Sequence, residues 1–346
     1  MTHVRGAQLV GSVNYDDAET TIRQAASILG AHLKRIPDGE PGRRFHWIVF
    51  QADILGQAEG IERVGDEPIP LRMLDARPVR VADGVDPASI RLAALGYASA
   101  AIESYAIFTR LRGEGVVAAG TRFQVSLPTP LAVVGAFFPP DQRAGIEPVY
   151  RKALYRELDE ILAAIPHEDL AIQWDNAVEF GLIEQVEQIG GQPWWSGDVW
   201  DGLTARSGEQ ADRVPADVEV GFHLCYGDVA EQHFIEPADA ANLVRFANAL
   251  VAASGRHVDW IHLPVPIERD DDGYFAPLER LEIGDTELYL GLVHREDGAE
   301  GAQRRIATAL RHVDTFGVAT ECGIGRAPEG TTDGILRAHA EVATAW

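Results

Sequence analysis

Gly221-Phe222-His223-Leu224-Cys225-Tyr226-Gly227-Asp228 holds one of only two cysteines in the chain. The other is Cys322, far later, in Ala319-Thr320-Glu321-Cys322-Gly323-Ile324-Gly325-Arg326. Each cysteine follows a short apolar run that reads as a strand, and each precedes a glycine-marked loop. His223 and Cys225 are two apart, so on extended backbone both side chains leave from one face. A nitrogen and sulfur pair joined by a distant thiolate suits a zinc ion, and three protein ligands leave a fourth position open for chemistry. The plain alternative is that both are ordinary buried residues, since free cysteine is among the most buried types.

Composition limits the function classes. The chain has 346 residues, 46% hydrophobic and 24% charged, an ordinary globular balance. Its formal charge of −23 argues against nucleic acid, whose binding needs cations on phosphates, and against anionic membrane surfaces. Two cysteines make no disulfide framework. Met1 to Val13 lacks a basic segment followed by a long apolar one, and the run Leu131 to Phe138 is far short of the roughly 20 residues that span a bilayer. A cytoplasmic protein is the expectation.

Eight apolar runs read as strands: Leu9-Val10, Leu33 to Ile36, Phe123 to Leu127, Ala171 to Trp174, Val218 to Leu224, Val258 to Val265, Glu287 to Val293 and Gly317 to Thr320. Helical patterns lie between most of them, over Ala18 to Leu29, Pro87 to Leu111, Gly145 to Ile165, Ala238 to Ala253 and Ala302 to His312, with Thr332 to Thr344 closing the chain. Residues 60 to 86 read as an excursion. Strands alternating with helices favour parallel sheet, and eight such units predict a (β/α)8 TIM barrel over residues 1–346, with inserted loops and no flexible linker. Ser12, Asp38, Glu40, Asp175, His223, Cys225, His262, His294 and Cys322 all fall at or just after strand ends. In a barrel those ends share one mouth.

Val10-Gly11-Ser12, Asp38-Gly39-Glu40, Gln173-Trp174-Asp175, His223-Leu224-Cys225 and Glu321-Cys322-Gly323 occur in this order across nearly the whole chain. In that order they resemble the catalytic barrel of cobalamin-independent methionine synthase and its shorter single-barrel relatives. The resemblance implies alkyl transfer to or from a zinc-bound thiol, with His223, Cys225 and Cys322 as metal ligands and His262 as the natural substitute for an absent glutamate, Glu321 or water being the alternatives. It implies Ser12, Glu40 and Asp175 as substrate-binding residues and Asp175 and His294 as catalytic ones, His294 protonating the leaving group. The family's Asp-Glu-Pro-Ala is here Asp175-Asn176-Ala177-Val178, and no folate-facing segment stands around the third strand. Both departures point away from folate-dependent methionine synthesis.

The partners implied are a small thiol and an alkyl donor. Zinc lowers the pKa of a bound thiol, giving a nucleophile at neutral pH. Two other classes stand beside this one. One is a metal-free lyase or decarboxylase, like the related uroporphyrinogen decarboxylases, using Asp38, Asp175 and His294 as acid/base groups. The other is a non-catalytic thiol-binding barrel. Trp194-Trp195 and Trp200 would line a pocket or pin a loop, and Asp270-Asp271-Asp272 reads as a solvated loop. The thiol, the donor and the oligomeric state are left open.

Overall fold

The computed structural model describes residues 4–186, 191–227 and 233–346; Asp228 of the opening stretch lies outside them. Eight parallel strands form a TIM-barrel-like sheet: β1 (Val4–Gln8), β2 (Arg35–Pro37), β3 (Arg122–Pro128), β4 (Leu170–Asn176), β5 (Glu219–Leu224), β6 (Trp260–Pro264), β7 (Glu287–Val293) and β8 (Phe316–Thr320). Each strand from β2 to β8 pairs with the next in the chain, and β8 returns to β1. The seam between β1 and β2 carries two isolated parallel bridges, Ala7–Leu33 and Ser12–Gly39, in place of a ladder. Ser12 and Gly39 lie beyond the ends of their strands, so the seam is tied at the mouth where the chemistry is expected.

The floor of the barrel is ionic. Arg35 on β2 is 2% exposed and donates to Glu219 on β5 and Glu287 on β7, at 2.6 and 3.0 Å. Its guanidinium lies 4.0 Å from the ring centre of Trp260. Gly221 makes room for that ring, because a Cβ there would sit 2.0 Å from it. Above this layer, Gln8, Gln124 and Gln173 are buried and joined, Gln8 donating to Gln124 at 2.6 Å. Buried side-chain amides that satisfy one another keep the interior polar just under the mouth.

Several boundaries differ from the sequence reading. The first strand ends at Gln8, so Leu9-Val10 is its exit and not its body. The helix expected from Pro87 begins at Tyr97; Pro87–Ser89 is a separate 3-10 turn. Gly96 at φ 90° breaks the two apart, and the buried Glu157 carboxylate caps the new start by accepting from Leu95 and Ala98 N–H groups at 2.6 and 2.8 Å. The apolar run Leu131 to Phe138 lies almost wholly in a helix, Pro130–Phe137, and its buried all-round surface hides any helical period. The tryptophan-rich connection contains a helix, Val199–Arg213, started by Asp198, which accepts from Trp200 and Asp201 N–H groups. Residues 60 to 86 form two small hairpins outside the barrel. Among the described residues no helix is long and apolar enough to cross a membrane.

Candidate active site

β5 and β8 deliver the sulfur atoms. His223 lies in β5 and Cys225 just beyond it, with the Cys225 N–H held by the Asn176 carbonyl of β4 at 2.9 Å. Cys322 follows β8 in a turn fixed by Thr320, whose hydroxyl donates to the Cys322 carbonyl at 2.7 Å. Cys225 Sγ and Cys322 Sγ are 3.8 Å apart, and Cys322 Sγ lies 3.7 Å from His223 Nε2. The three ligand atoms all fall within 4.8 Å of one another, the one such group of three among the described residues. Neither cysteine is in a disulfide. The Gly227 N–H donates to Cys225 Sγ at 3.2 Å, and the neighbouring Cys225 thiol and His223 hold Cys322 well below the usual thiol range against the effect of burial.

The donor set fits zinc. With Zn–S of about 2.3 Å and Zn–N of about 2.0 Å, a tetrahedral ion separates two sulfurs by roughly 3.8 Å and sulfur from nitrogen by roughly 3.6 Å. The observed 3.8 and 3.7 Å match both.

His262 is not a fourth member. It is fully buried behind His223, with the two Nδ1 atoms 2.7 Å apart, and its Nε2 lies 3.0 Å from the Thr320 carbonyl. A carbonyl only accepts, so Nε2 of His262 carries the proton and its Nδ1 takes the proton of His223 Nδ1. That leaves the lone pair of His223 Nε2 turned to the sulfurs. His262 therefore fixes the tautomer of a ligand and does not ligate, because neither of its nitrogens is available. Burial, then the nearby His223, holds its pKa well below the ordinary value.

A cavity of about 60 Å³ opens beside the sulfurs, and Ser12, Glu40, Asp175, His223, Cys225 and Cys322 all line it. Three further residues singled out by the sequence, Ser12, Glu40 and Asp175, thus meet the candidate metal group in one place, as the barrel predicts. Glu40 and Trp47, on the loop after β2, have φ of 53° and 42°, a region that non-glycine residues seldom adopt. Burial pushes Glu40 up to about 7, helped by Asp38 and Cys322 and opposed by Arg44 and Arg326. Asp175 is raised well above the usual carboxylate range by burial and then by Glu40, although Gln173 donates to it at 2.9 Å. Asp175 is buried and Glu40 half-buried, and two adjoining carboxyl groups repel each other's charge, so the site has capacity for a cation.

Asp38 does not reach this cavity. It accepts from Arg44, Ser104 and the Glu40 N–H. Burial opposes its ionisation, but Arg44 holds its pKa below the usual range. It is a structural anion under Glu40, which removes it as the acid/base group of a lyase. Ser12 does two things: its hydroxyl lines the cavity and accepts from the Gly325 N–H at 3.3 Å, and its carbonyl accepts from Ile324 at 2.8 Å. A Cβ on Gly323 would lie 2.3 Å from Ser12 Oγ, so these glycines let the Cys322 loop approach Ser12.

His294 lies apart from the sulfurs, in the wall of a second cavity that Cys322 also lines. Its Nε2 is 2.8 Å from the Val265 carbonyl and its Nδ1 is 3.8 Å from Glu321. Burial, then Arg305, pushes its pKa down to about 4. The imidazole is neutral, with its one proton committed to backbone, which is not the state expected of a general acid at neutral pH.

The tryptophans pin the loop. Trp194 donates to Glu147 at 2.6 Å, and Arg206 and Arg245 lie over Trp195 and Trp200. Asp271 caps a short helix through the Tyr274 N–H, and Asp272 pairs with Arg311 and His312, so the aspartate run is occupied. Trp47 and Arg326 line the cavity without having been singled out in the sequence; Gln173 stands in a quoted segment, but its role as support of Asp175 shows only in the structure.

No protein-family model matches the chain, and no curated protein matches it. Among solved structures it is similar to a B12-independent methionine synthase from Shewanella sp. W3-18-1, in complex with selenomethionine. The TM-score is 0.61 at 17% identity, covering 99% of this chain and 97% of that one. It is also similar to a methyltransferase from Methanosarcina mazei, with TM-score 0.56 at 11% identity over 99% and 94% of the two chains. Along its whole length the chain therefore shares its fold with these two proteins.

Proposed function

We propose that the protein is a zinc-dependent enzyme that moves a methyl or other alkyl group to or from a small aminothiol. The observation that carries this reading is the His223, Cys225 and Cys322 donor set at zinc spacing, opening on the cavity that holds Glu40 and Asp175. The fold shared with a methionine synthase and a methyltransferase supports it. A zinc ion held there would supply Lewis acidity, favouring the thiolate form of a substrate sulfur at neutral pH.

The chain's own residues do the rest. Glu40 and Asp175 bind the ammonium of the thiol substrate, which restores both carboxyl groups to their ionised form. Gln173 holds Asp175 in place, and the Asp38–Arg44 pair holds the Glu40 turn. Ser12 orients the substrate and anchors the Cys322 loop. The small cavity excludes water and fixes the sulfur for in-line attack on the donor carbon, a positioning effect that lowers the entropic part of the barrier. The altered sequence after Asp175 and the absence of a folate-facing segment make methyltetrahydrofolate a poor donor.

Metal analysis of purified protein tests the reading. It should find about one zinc per chain, lost in Cys225→Ser and in Cys322→Ser. Metal-free protein that still alkylates thiols at the full rate would overturn it.

A further inference from the structure

The second cavity, about 360 Å³, meets the first at Gly227, Cys322, Gly323 and Arg326. Of the three proposed metal ligands its described lining includes Cys322, so a molecule in it would meet the site at Cys322. Its described lining contains no phenylalanine, tyrosine or tryptophan, so no broad platform awaits a flat heteroaromatic donor. It is lined instead by ionic groups, among them Glu268, Glu321 and Arg326.

Among the described residues, the two imidazoles of the wall keep their protons on other partners. His294 carries its proton on Nε2, against the Val265 carbonyl, and turns a bare Nδ1 toward Glu321. The charged groups around it are Arg305, Asp297, His233 and Glu321, and its pKa of about 4 agrees with a neutral ring. His233 is the other imidazole in this wall. Its Nδ1 lies 3.2 Å from Glu236 and its Nε2 3.0 Å from Glu321, so both ring nitrogens face carboxylates. Burial opposes its charge, but Glu321 and Glu236 raise its pKa to about 9. The imidazolium is retained by its two partners and is a poor donor to a third group.

Resting on the thiol alkylation proposed above, we propose that this cavity binds a small onium donor, a sulfonium or quaternary ammonium bearing a carboxylate. The positive heteroatom lies toward Glu321 and Glu268, and the carboxylate toward Arg326. The thiol proton goes to solvent as the thiolate forms. A sulfur lone pair then forms the S–C bond as the bond from carbon to the onium heteroatom breaks. That bonding pair stays on the heteroatom, which leaves as a neutral thioether or tertiary amine. No acid is required, which matches a described wall whose imidazoles are committed to Val265, Glu236 and Glu321.

The test uses zinc-loaded full-length protein, L-homocysteine as thiol, and trideuteromethyl-labelled glycine betaine and dimethylsulfoniopropionate as donors. N,N-dimethylglycine is the comparator, because its nitrogen must be protonated to leave. Mass spectrometry should find the label on sulfur with at least one onium, more than about tenfold faster than from the comparator. At saturating homocysteine, whose ammonium holds Glu40 and Asp175 ionised, kcat should hold within about twofold from roughly pH 6.5 to 8.5, since no general acid titrates. Glu268→Gln should raise the donor KM several-fold with little change in kcat. The zinc edge is recorded on the same samples. If homocysteine sulfur reaches the zinc but neither onium transfers its methyl, or the comparator is as fast, this inference alone fails. If no thiol sulfur reaches the metal, the reading of the site fails and the inference with it.

Discussion

His223 and His262 face each other ring to ring, Nδ1 to Nδ1 at 2.7 Å, on the neighbouring strands β5 and β6. The contact joins the proposed metal ligand His223 to the backbone of β8, through the Thr320 carbonyl that His262 also touches. Replacing His262 with phenylalanine would keep a ring and remove the acceptor. His262→Phe is expected to weaken zinc affinity by about 10- to 100-fold without loss of the fold. Chelator competition with circular dichroism on the same sample measures both; unchanged affinity would mean that the ring pair is packing only.

Glu40 and Asp175 test the substrate side separately from the metal. Glu40→Gln and Asp175→Asn keep shape and remove charge, so an aminothiol should lose about 10-fold or more in affinity while zinc content stays whole. A thiol without an amine, such as mercaptoethanol, should bind wild type and variants alike. Thiol titration followed at the zinc edge separates the outcomes, and equal losses for both thiols would place the effect elsewhere.

These two sites also show how far the sequence could be read. His223, Cys225 and Cys322 were legible because strand alternation and barrel topology both bear on them, and Ser12, Glu40 and Asp175 because strand ends converge. The role of His262 was not legible: two histidines on adjacent strands differ as ligand and support only through the direction of each ring. Likewise His294 stands where expected, but its protonation follows from Val265 and Arg305, residues with no motif. Trp47 and Arg326 reach the cavity through loop geometry, which leaves no period in the chain. The helix Val199–Arg213 was hidden by a tryptophan- and glycine-rich start that reads as loop.

The barrel floor gives a stability test remote from the mouth. Arg35 is buried between Glu219, Glu287 and the Trp260 ring, and Glu287 also meets Lys34. Arg35→Met would leave two partly buried carboxylates short of a partner. A loss of about 3 kcal/mol in urea unfolding is expected, with zinc stoichiometry unchanged. A loss under about 0.5 kcal/mol would show that Lys34 and Arg122 suffice.

Glu179 sets a pH dependence. It is 2% exposed beside Thr129, whose hydroxyl donates to it at 2.6 Å, and burial raises its pKa to about 7 from an ordinary 4.5. The folded state therefore binds more protons than the unfolded state between these values. Its contribution is fully present below about pH 4.5 and lost as pH rises through about 7. Glu179→Gln should remove this loss, gaining on wild type by on the order of 3 kcal/mol between pH 5 and pH 8. Unfolding midpoints at the two pH values check it; a gain that does not grow with pH would mean that the group is ionised throughout.

The central claim is that His223, Cys225 and Cys322 hold a metal with a position open to a substrate sulfur. X-ray absorption at the zinc edge, recorded before and after adding L-homocysteine, addresses it most directly. The predicted result is a site with two sulfur neighbours at about 2.3 Å that gains a third on adding the thiol. A chain that purifies without zinc, or a zinc shell whose sulfur count does not change with thiol, would contradict the account.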